Sequence, residues 1–441
     1  RVWPNGKRGV DEVSLSIYPG EMVALMGPSG AGKTTLLRML TGQEEPSMGT
    51  VLCNGLSLYD NWDMIANNIG YVPQKEDSFH QDLTVYETLY FACKLKLPAD
   101  TTEQQIEERI NTLLIQMDLE ETRHTVIGTS GHGISGGQAK RVNIALELIT
   151  QPDLLFLDEP SSGLDSTSTQ KIAEVLSSLT DQGKTIIMTI HQPRVEVFEK
   201  IDNVILLTKG GKLAYYGPST GVSDYFEPKT EVRKSSQTNP ADYVMDVLDP
   251  INPNHHRDTD YWKAEFRKSN YHQDYVLNRI GKANTVSPGR VHRVIKRSTT
   301  IQYKLLTQRY WVRKLRDKVA LFFLALQPTI VGILLWWIYD DAYGDFEDLI
   351  EDRQSACDGS LESFVCQTFR GNVEQAAMEQ INNGIHPTLF LIAAAAFWFG
   401  CSNVARELVS DRKVFERERR SGLRSMAYLG SIVTVQTLIT I

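Results

Sequence analysis

The sequence predicts an α/β domain at the front of the chain followed by an α-helical transmembrane domain, and three observations carry that prediction. Short apolar runs alternate with helical stretches through residues 1–225, as in a mostly parallel sheet covered by helices. A glycine-rich loop at 27–34 sits between an apolar strand and a helical run. Residues 319–339 are almost wholly apolar over a length that matches a bilayer core. With 441 residues, 41% apolar and 23% charged, the chain is long enough for two or three domains and too apolar to be disordered. The formal net charge is −8, but eleven Asp and Glu against Arg353 and Arg370 put −9 of it in residues 340–386, leaving about +1 elsewhere. A nearly neutral remainder without a basic stripe argues against a nucleic-acid partner. Five scattered cysteines with no CxxC pair exclude a zinc framework and a small disulfide scaffold.

The clearest strands are 21–26, 154–157, 185–190 and 203–208; Lys209-Gly210-Gly211-Lys212 then signals a hairpin into 213–216. Residues 226–297 are polar, rich in turn formers and increasingly basic, which predicts a connector with short helices, and 298–318 is an amphipathic helix. The run 319–339 has Gln327 as its one strongly polar side chain, and at ~1.5 Å per residue it spans about 32 Å. Residues 387–405 form a second candidate span, and 426 onward begins a third. Lys304, Arg309, Arg313, Lys314, Arg316 and Lys318 precede the first span, while Arg406, Arg412, Lys413, Arg417, Arg419, Arg420 and Arg424 follow the second. By the positive-inside rule both flanks and the front domain are cytoplasmic, and the acidic loop 340–386 is outside. Cys357 and Cys366 share that loop and can pair if that side is oxidising. At Gln327-Pro328 the proline frees a carbonyl; the amide either repairs the helix or lines a substrate path. Arg1 opens the chain and its last eleven residues are apolar to the end, so the sequence reads as cut at both ends, the second within the membrane domain.

Three motifs carry chemistry. Gly27, Pro28, Ser29, Gly30, Ala31, Gly32, Lys33 and Thr34 fit GxxxxGK[ST]; the backbone N–H groups and the following helix, starting with Thr35, suit phosphate oxygens. Lys33 would reach the β- and γ-phosphates and Thr34 the Mg²⁺. Asp158 and Glu159 end an apolar strand, where alternation aims them differently: Asp158 toward a metal, Glu159 toward a water as general base. Ser135, Gly136, Gly137 and Gln138 open a helix with a good N-cap and close backbone approach, a second anion site that serves either a second nucleotide or one shared between two chains.

The P-loop, Gln74 after a strand, Ser135-Gly136-Gly137-Gln138, the Asp158-Glu159-Pro160 strand end, Ser162-Gly163-Leu164-Asp165 and strand-terminal His191 occur in an order that resembles the nucleotide-binding domain of ATP-binding cassette (ABC) proteins. That resemblance implies a P-loop NTPase fold with a helical subdomain, and a dimer that sandwiches two ATP. It further implies that Ser135 to Gln138 contact the ATP of the partner subunit, that Gln74 touches Mg²⁺ and senses the membrane part, and that Asp165 couples the sites. His191 would bind the γ-phosphate and orient Glu159, and Trp3, 24 residues before Gly27, would lie under the adenine. The ATPase-first order, residues 84–98, His191-Gln192-Pro193, Tyr216-Gly217-Pro218 and 239–246 further resemble the G, or White, subfamily. So do the helix 298–318, resembling that branch's connecting helix, and the cytoplasmic loop 406–425, resembling its coupling loop. Gln138 stands where that branch often has Glu, and its large outer loop usually comes later than 340–386. The resemblance implies a half-transporter, homodimeric or heterodimeric, embedded in a lipid bilayer and exporting a lipid, sterol or other hydrophobic small molecule. A membrane-bound regulatory ATPase shares every motif. A soluble ABC ATPase acting on ribosomes or DNA fits the run at 319–339 poorly.

Overall fold

The computed structural model describes residues 1–3, 6, 8–74, 79–129, 132–230, 238–249, 257–283, 298–319, 321–323, 326–337 and 390–440. The acidic loop, with Cys357 and Cys366, lies outside the described residues. The chain divides into two units, Arg1–Ser298 with Lys413–Leu423, and Thr299–Arg412 with Arg424–Ile441.

The first unit is built in chain order from β1 (Met22–Met26), α1 (Lys33–Leu40), β2 (Ile69–Val72), α2 (Val85–Lys96), α3 (Glu103–Gln116), α4 (Gly136–Leu148), β3 (Leu154–Asp158), α5 (Ser166–Asp181), β4 (Thr185–Thr189), β5 (Asn203–Thr208), β6 (Lys212–Pro218), α6 (Pro240–Leu248) and α7 (Thr259–Lys268). Its main sheet runs β6-β5-β1-β4-β3-β2, parallel throughout except for the β5–β6 hairpin that Gly210 and Gly211 turn at positive φ. Every residue of β1 is buried, as a strand with neighbours on both edges and helices on its faces requires. The four clearest strands of the sequence prediction, now β1, β3, β4 and β5, are matched to within a residue, with β3 running through Asp158, while β6 runs two residues past the expected 213–216. Helices α2, α3 and α4 each open on a capping box, at Thr84, Thr102 and Ser135, which fixes where the helical layer begins. Ile106, Ile110 and Leu113 bury one stripe of α3.

The stretch expected to be a connector packs against the sheet where it is described. Trp262 and Phe266 of α7 sit one helical turn apart, both at most 2% exposed, and pack at a tilt against Phe226 and Tyr215 at centroid distances of 5.0 and 6.4 Å. Lys263 bridges Asp11 at 3.3 Å, and Lys212 bridges Asp260 at 2.6 Å.

In the second unit, α8 (Thr299–Arg316) precedes the helix Leu321–Trp337, and residues 390–410 are helical. Helix α9 (Arg412–Arg420) follows, then α10 (Ser425–Thr440). Tyr303 and Thr434 share a hydroxyl hydrogen bond of 2.8 Å, and the Arg424 N–H donates to the Gln302 side chain at 3.0 Å, so α8 and α10 lie together. Arg313 makes two bonds to Asp411, at 2.6 and 3.1 Å, and Lys314 pairs with Glu407, so two cations of the predicted flank are neutralised within the protein. Asn403 donates to Gln327 at 3.4 Å; the amide thus reaches across helices, a third possibility beside helix repair and path lining. Among the described residues no single helix is long and apolar enough to cross a membrane. Thr299–Arg316 and Leu321–Trp337 pass that test together but are bent by 82°.

Candidate nucleotide site

The loop after β1 can close only with glycine at two points. Gly27, at φ 147°, would put a Cβ 2.1 Å from the Leu207 carbonyl oxygen, and Gly32, at φ 85°, would put one 1.9 Å from that of Gly9. Pro28, Ser29, Gly30 and Ala31 complete the turn, and α1 starts at Lys33 with no side chain capping its N-terminus. The amides of Lys33, Thr34 and Thr35 therefore open the helix with their N–H groups available to an anion. Lys33 folds back to donate to the Gly27 carbonyl at 2.7 Å and that of Pro28 at 3.2 Å. Burial pulls its ammonium below the ordinary value, while Glu159 and Asp158 push the other way. The Thr35 methyl and the Trp3 indole nitrogen both approach the Cβ position of Gly9, which places Trp3 beside α1, with the Arg1 guanidinium 5.2 Å from its ring centre.

Asp158 is the last residue of β3, and Glu159 lies outside the strand at φ 47°, in the left-handed region. The two carboxylates diverge because the backbone turns there, rather than by continued strand alternation. A non-glycine residue in that region costs about 1–2 kcal/mol. Thr189 at the end of β4 supports the turn: its hydroxyl donates to Asp158 Oδ1 at 2.7 Å and accepts from the Glu159 N–H at 2.8 Å. The Gln74 side-chain amide donates to Glu159 Oε2 at 2.6 Å, so strand β2 delivers its glutamine to the second carboxylate. His191 lies two residues past β4 and is exposed; among the described residues Glu159 is held by Gln74 and not by His191.

Ser135 caps α4, accepting from the Gln138 N–H at 3.2 Å, while the Ser135 N–H donates to the Gln138 side chain at 2.8 Å. Behind Gly136, a Cβ on Gly137 would stand 2.4 Å from Ser168 Oγ. That hydroxyl donates to Asp165 Oδ2 at 2.8 Å, and the Ser168 N–H donates to Oδ1 at 2.9 Å, so Asp165 caps α5 against the back of the α4 N-terminus. The two hydrogen bonds from Ser168 hold the Asp165 carboxyl below its usual range. Further along α4, the buried Lys140 ammonium donates to the carbonyls of Pro73 at 3.1 Å and Gln74 at 2.7 Å.

Sequence reasoning missed Thr189 and Lys140. Thr189 had a signal in being polar at the end of an apolar strand, two residues before His191; Lys140 had none, because a lysine on a helix ordinarily reads as solvated.

Residues 10–162 match the ABC transporter family, and residues 191–277 and 301–441 match ABC-2 type transporter models. The chain belongs to the ABC transporters. It is 40% identical over 242 residues to ABC transporter G family member 28 of Arabidopsis thaliana, covering 54% of this chain and 22% of that protein. An ABC transporter ATP-binding/permease protein of Mycobacterium tuberculosis is 30% identical over 98% of this chain and 43% of its own length. ABC transporter G family member 4 of Dictyostelium discoideum is 34% identical over 76% of this chain and 41% of its own. The chain thus spans less than half the length of these relatives. It joins a P-loop ABC ATPase domain to an ABC-2 membrane domain, ATPase first, as in an ABC transporter of G-family kind, and is a membrane protein by that second match.

Proposed function

We propose that the chain is a half-transporter that dimerises, with itself or a related chain, and uses ATP to move a hydrophobic compound, lipid or sterol across a bilayer. The observation that carries this is one chain holding both a converged Lys33, Asp158, Glu159 and Gln74 site and the ABC-2 transporter match over residues 301–441. Lys33 and the first amides of α1 bind the β- and γ-phosphates. Trp3 stacks beneath the adenine. Ser135, Gly136, Gly137 and Gln138 of one subunit close on the partner's ATP, with Asp165 behind them linking the two sites. Mg²⁺ fits the donors present: the Thr34 hydroxyl, the Asp158 oxygen not held by Thr189, and the Gln74 carbonyl oxygen are all hard ligands. Once bound, it neutralises charge on the phosphates.

Glu159 is the base that takes a proton from the attacking water. Its carboxylate is aimed by the turn at φ 47° and by Gln74, and His191 supports the γ-phosphate side. The exposed aromatic and aliphatic side chains of Leu321–Trp337 and of 390–410 suit a multi-pass membrane part, with the front domain cytoplasmic. Phosphate release by the full chain in proteoliposomes tests this, screened against lipids, sterols and amphiphilic drugs. Glu159→Gln is expected to lose ~10²–10⁴-fold in rate while still binding ATP. Hydrolysis that persists in Glu159→Gln would remove the catalytic assignment, and robust hydrolysis indifferent to every compound would leave a regulatory ATPase.

A further inference from the structure

Lys140 is 1% exposed, and a buried ammonium persists only where hydrogen bonds replace its hydration. It donates to two consecutive carbonyls, Pro73 and Gln74, the second at 2.7 Å. Those carbonyls belong to the segment that leaves β2 and carries the Gln74 side chain to Glu159, 2.6 Å away. Lys140 itself stands on α4, whose first turn is the Ser135 to Gln138 element. One cation therefore ties the backbone of the glutamine to the helix that begins at the second anion site. No hydrogen bond of the sheet does this, since β2 ends at Val72 and pairs there with Leu157 of β3.

On the footing of the ATPase function above, we propose that Lys140 is a positioning residue for hydrolysis. It fixes the Gln74 backbone to α4, so that the Gln74 amide meets Glu159 only when α4 is correctly placed. Lys140 touches neither nucleotide nor reacting water and acts through Gln74. A nucleotide engaging the start of α4 is thereby felt at Glu159 of the same chain. Removing the ammonium should loosen Gln74 without altering the phosphate-binding loop, so turnover falls and ATP affinity holds.

The test measures kcat and KM for ATP in the full chain in nanodiscs for the parent, Glu159→Gln, Lys140→Met, Gln74→Ala and the Lys140→Met/Gln74→Ala pair, with melting curves for each. A parent without hydrolysis, or one whose rate Glu159→Gln leaves intact, would sink the ATPase function itself, independently of Lys140. Given an active parent, Lys140→Met is expected to lower kcat about tenfold or more with KM within twofold, and the pair should lose no more than Gln74→Ala alone. Unchanged kcat in a folded Lys140→Met, or a full multiplicative loss in the pair, would overturn the proposal. If Lys140→Met does not fold, Lys140→Gln, which keeps an amide donor, takes its place: a partial fall in kcat at constant KM supports the proposal, and parental kcat overturns it.

Discussion

In the first unit most large apolar side chains turn inward: Met22, Leu25, Leu37, Phe226 and Phe266 are all at most 2% exposed. In the second, Trp336, Trp337, Phe390, Phe397 and Trp398 stand 65–73% exposed, on two helices joined by the Asn403–Gln327 hydrogen bond. The first unit buries its apolar surface against itself. The second leaves surface that water would disfavour by about 25 cal/mol for each Å², so its helices require an apolar surrounding or a partner to cover them. Sequence composition averages the two and hides the contrast.

The largest expected effect separates the units directly. Phe397→Lys should disfavour membrane insertion of the 390–410 helix by roughly 2.5–3.5 kcal/mol, read by glycosylation of flanking sites in microsomes. Met48→Lys, at a side chain 87% exposed in the first unit, should shift thermal stability by no more than about 0.5 kcal/mol. Equal, small effects at both positions would break the comparison. Next, Gly32→Ala adds a Cβ 1.9 Å from the Gly9 carbonyl at φ 85°, so it should cost about 2 kcal/mol or more of first-unit stability and most ATP binding, read by melting with and without nucleotide.

A smaller effect is set by pH. The Ser168 bonds lower the Asp165 carboxyl in the folded state, so its capping contribution is complete above the unfolded value near 4 and is lost as pH falls through the lowered folded value. The melting difference between parent and Asp165→Ala should therefore be constant from pH 7 to 5 and shrink below about pH 4. The smallest concerns α9, where the Arg420 guanidinium lies 5.8 Å from the Tyr71 ring centre, at the rim of a cavity of about 60 Å³ also lined by Trp62, Lys96, Glu147 and Arg417. Arg420→Ala should cost roughly 0.5–1 kcal/mol of stability. A larger loss would mean that α9 holds the first unit together more tightly than a single cation–ring contact explains.

Much of the first unit was legible in the sequence because its chemistry is local. The loop 27–34 declares its strand, turn and helix within eight residues, and Ser135 to Gln138 announces a capped helix by residue type alone. What escaped depends on long-range contact. The positive φ at Glu159 follows from where Thr189, thirty residues on, places its hydroxyl, and the role of Lys140 follows from a carbonyl 66 residues away. The 226–297 stretch read as a connector because its polar average masks Trp262 and Phe266, one turn apart on α7. In the second unit, length and hydropathy exposed the apolar runs, but not the pairing of Arg313 with Asp411, which turns part of a charged flank into an internal tie.

Residues Lys413–Leu423 belong to the first unit, although all of 299–412 precedes them in the chain. Synthesis runs in that order too. When Ser298 leaves the ribosome, the nucleotide-binding unit still lacks Val414, which is 4% exposed once packed, and the Arg420 that meets Tyr71. At roughly 5–20 residues per second, it waits on the order of ten seconds for them. During that interval the nascent chain is committing its first apolar helices, so maturation of the nucleotide-binding half is timed by biogenesis of the other.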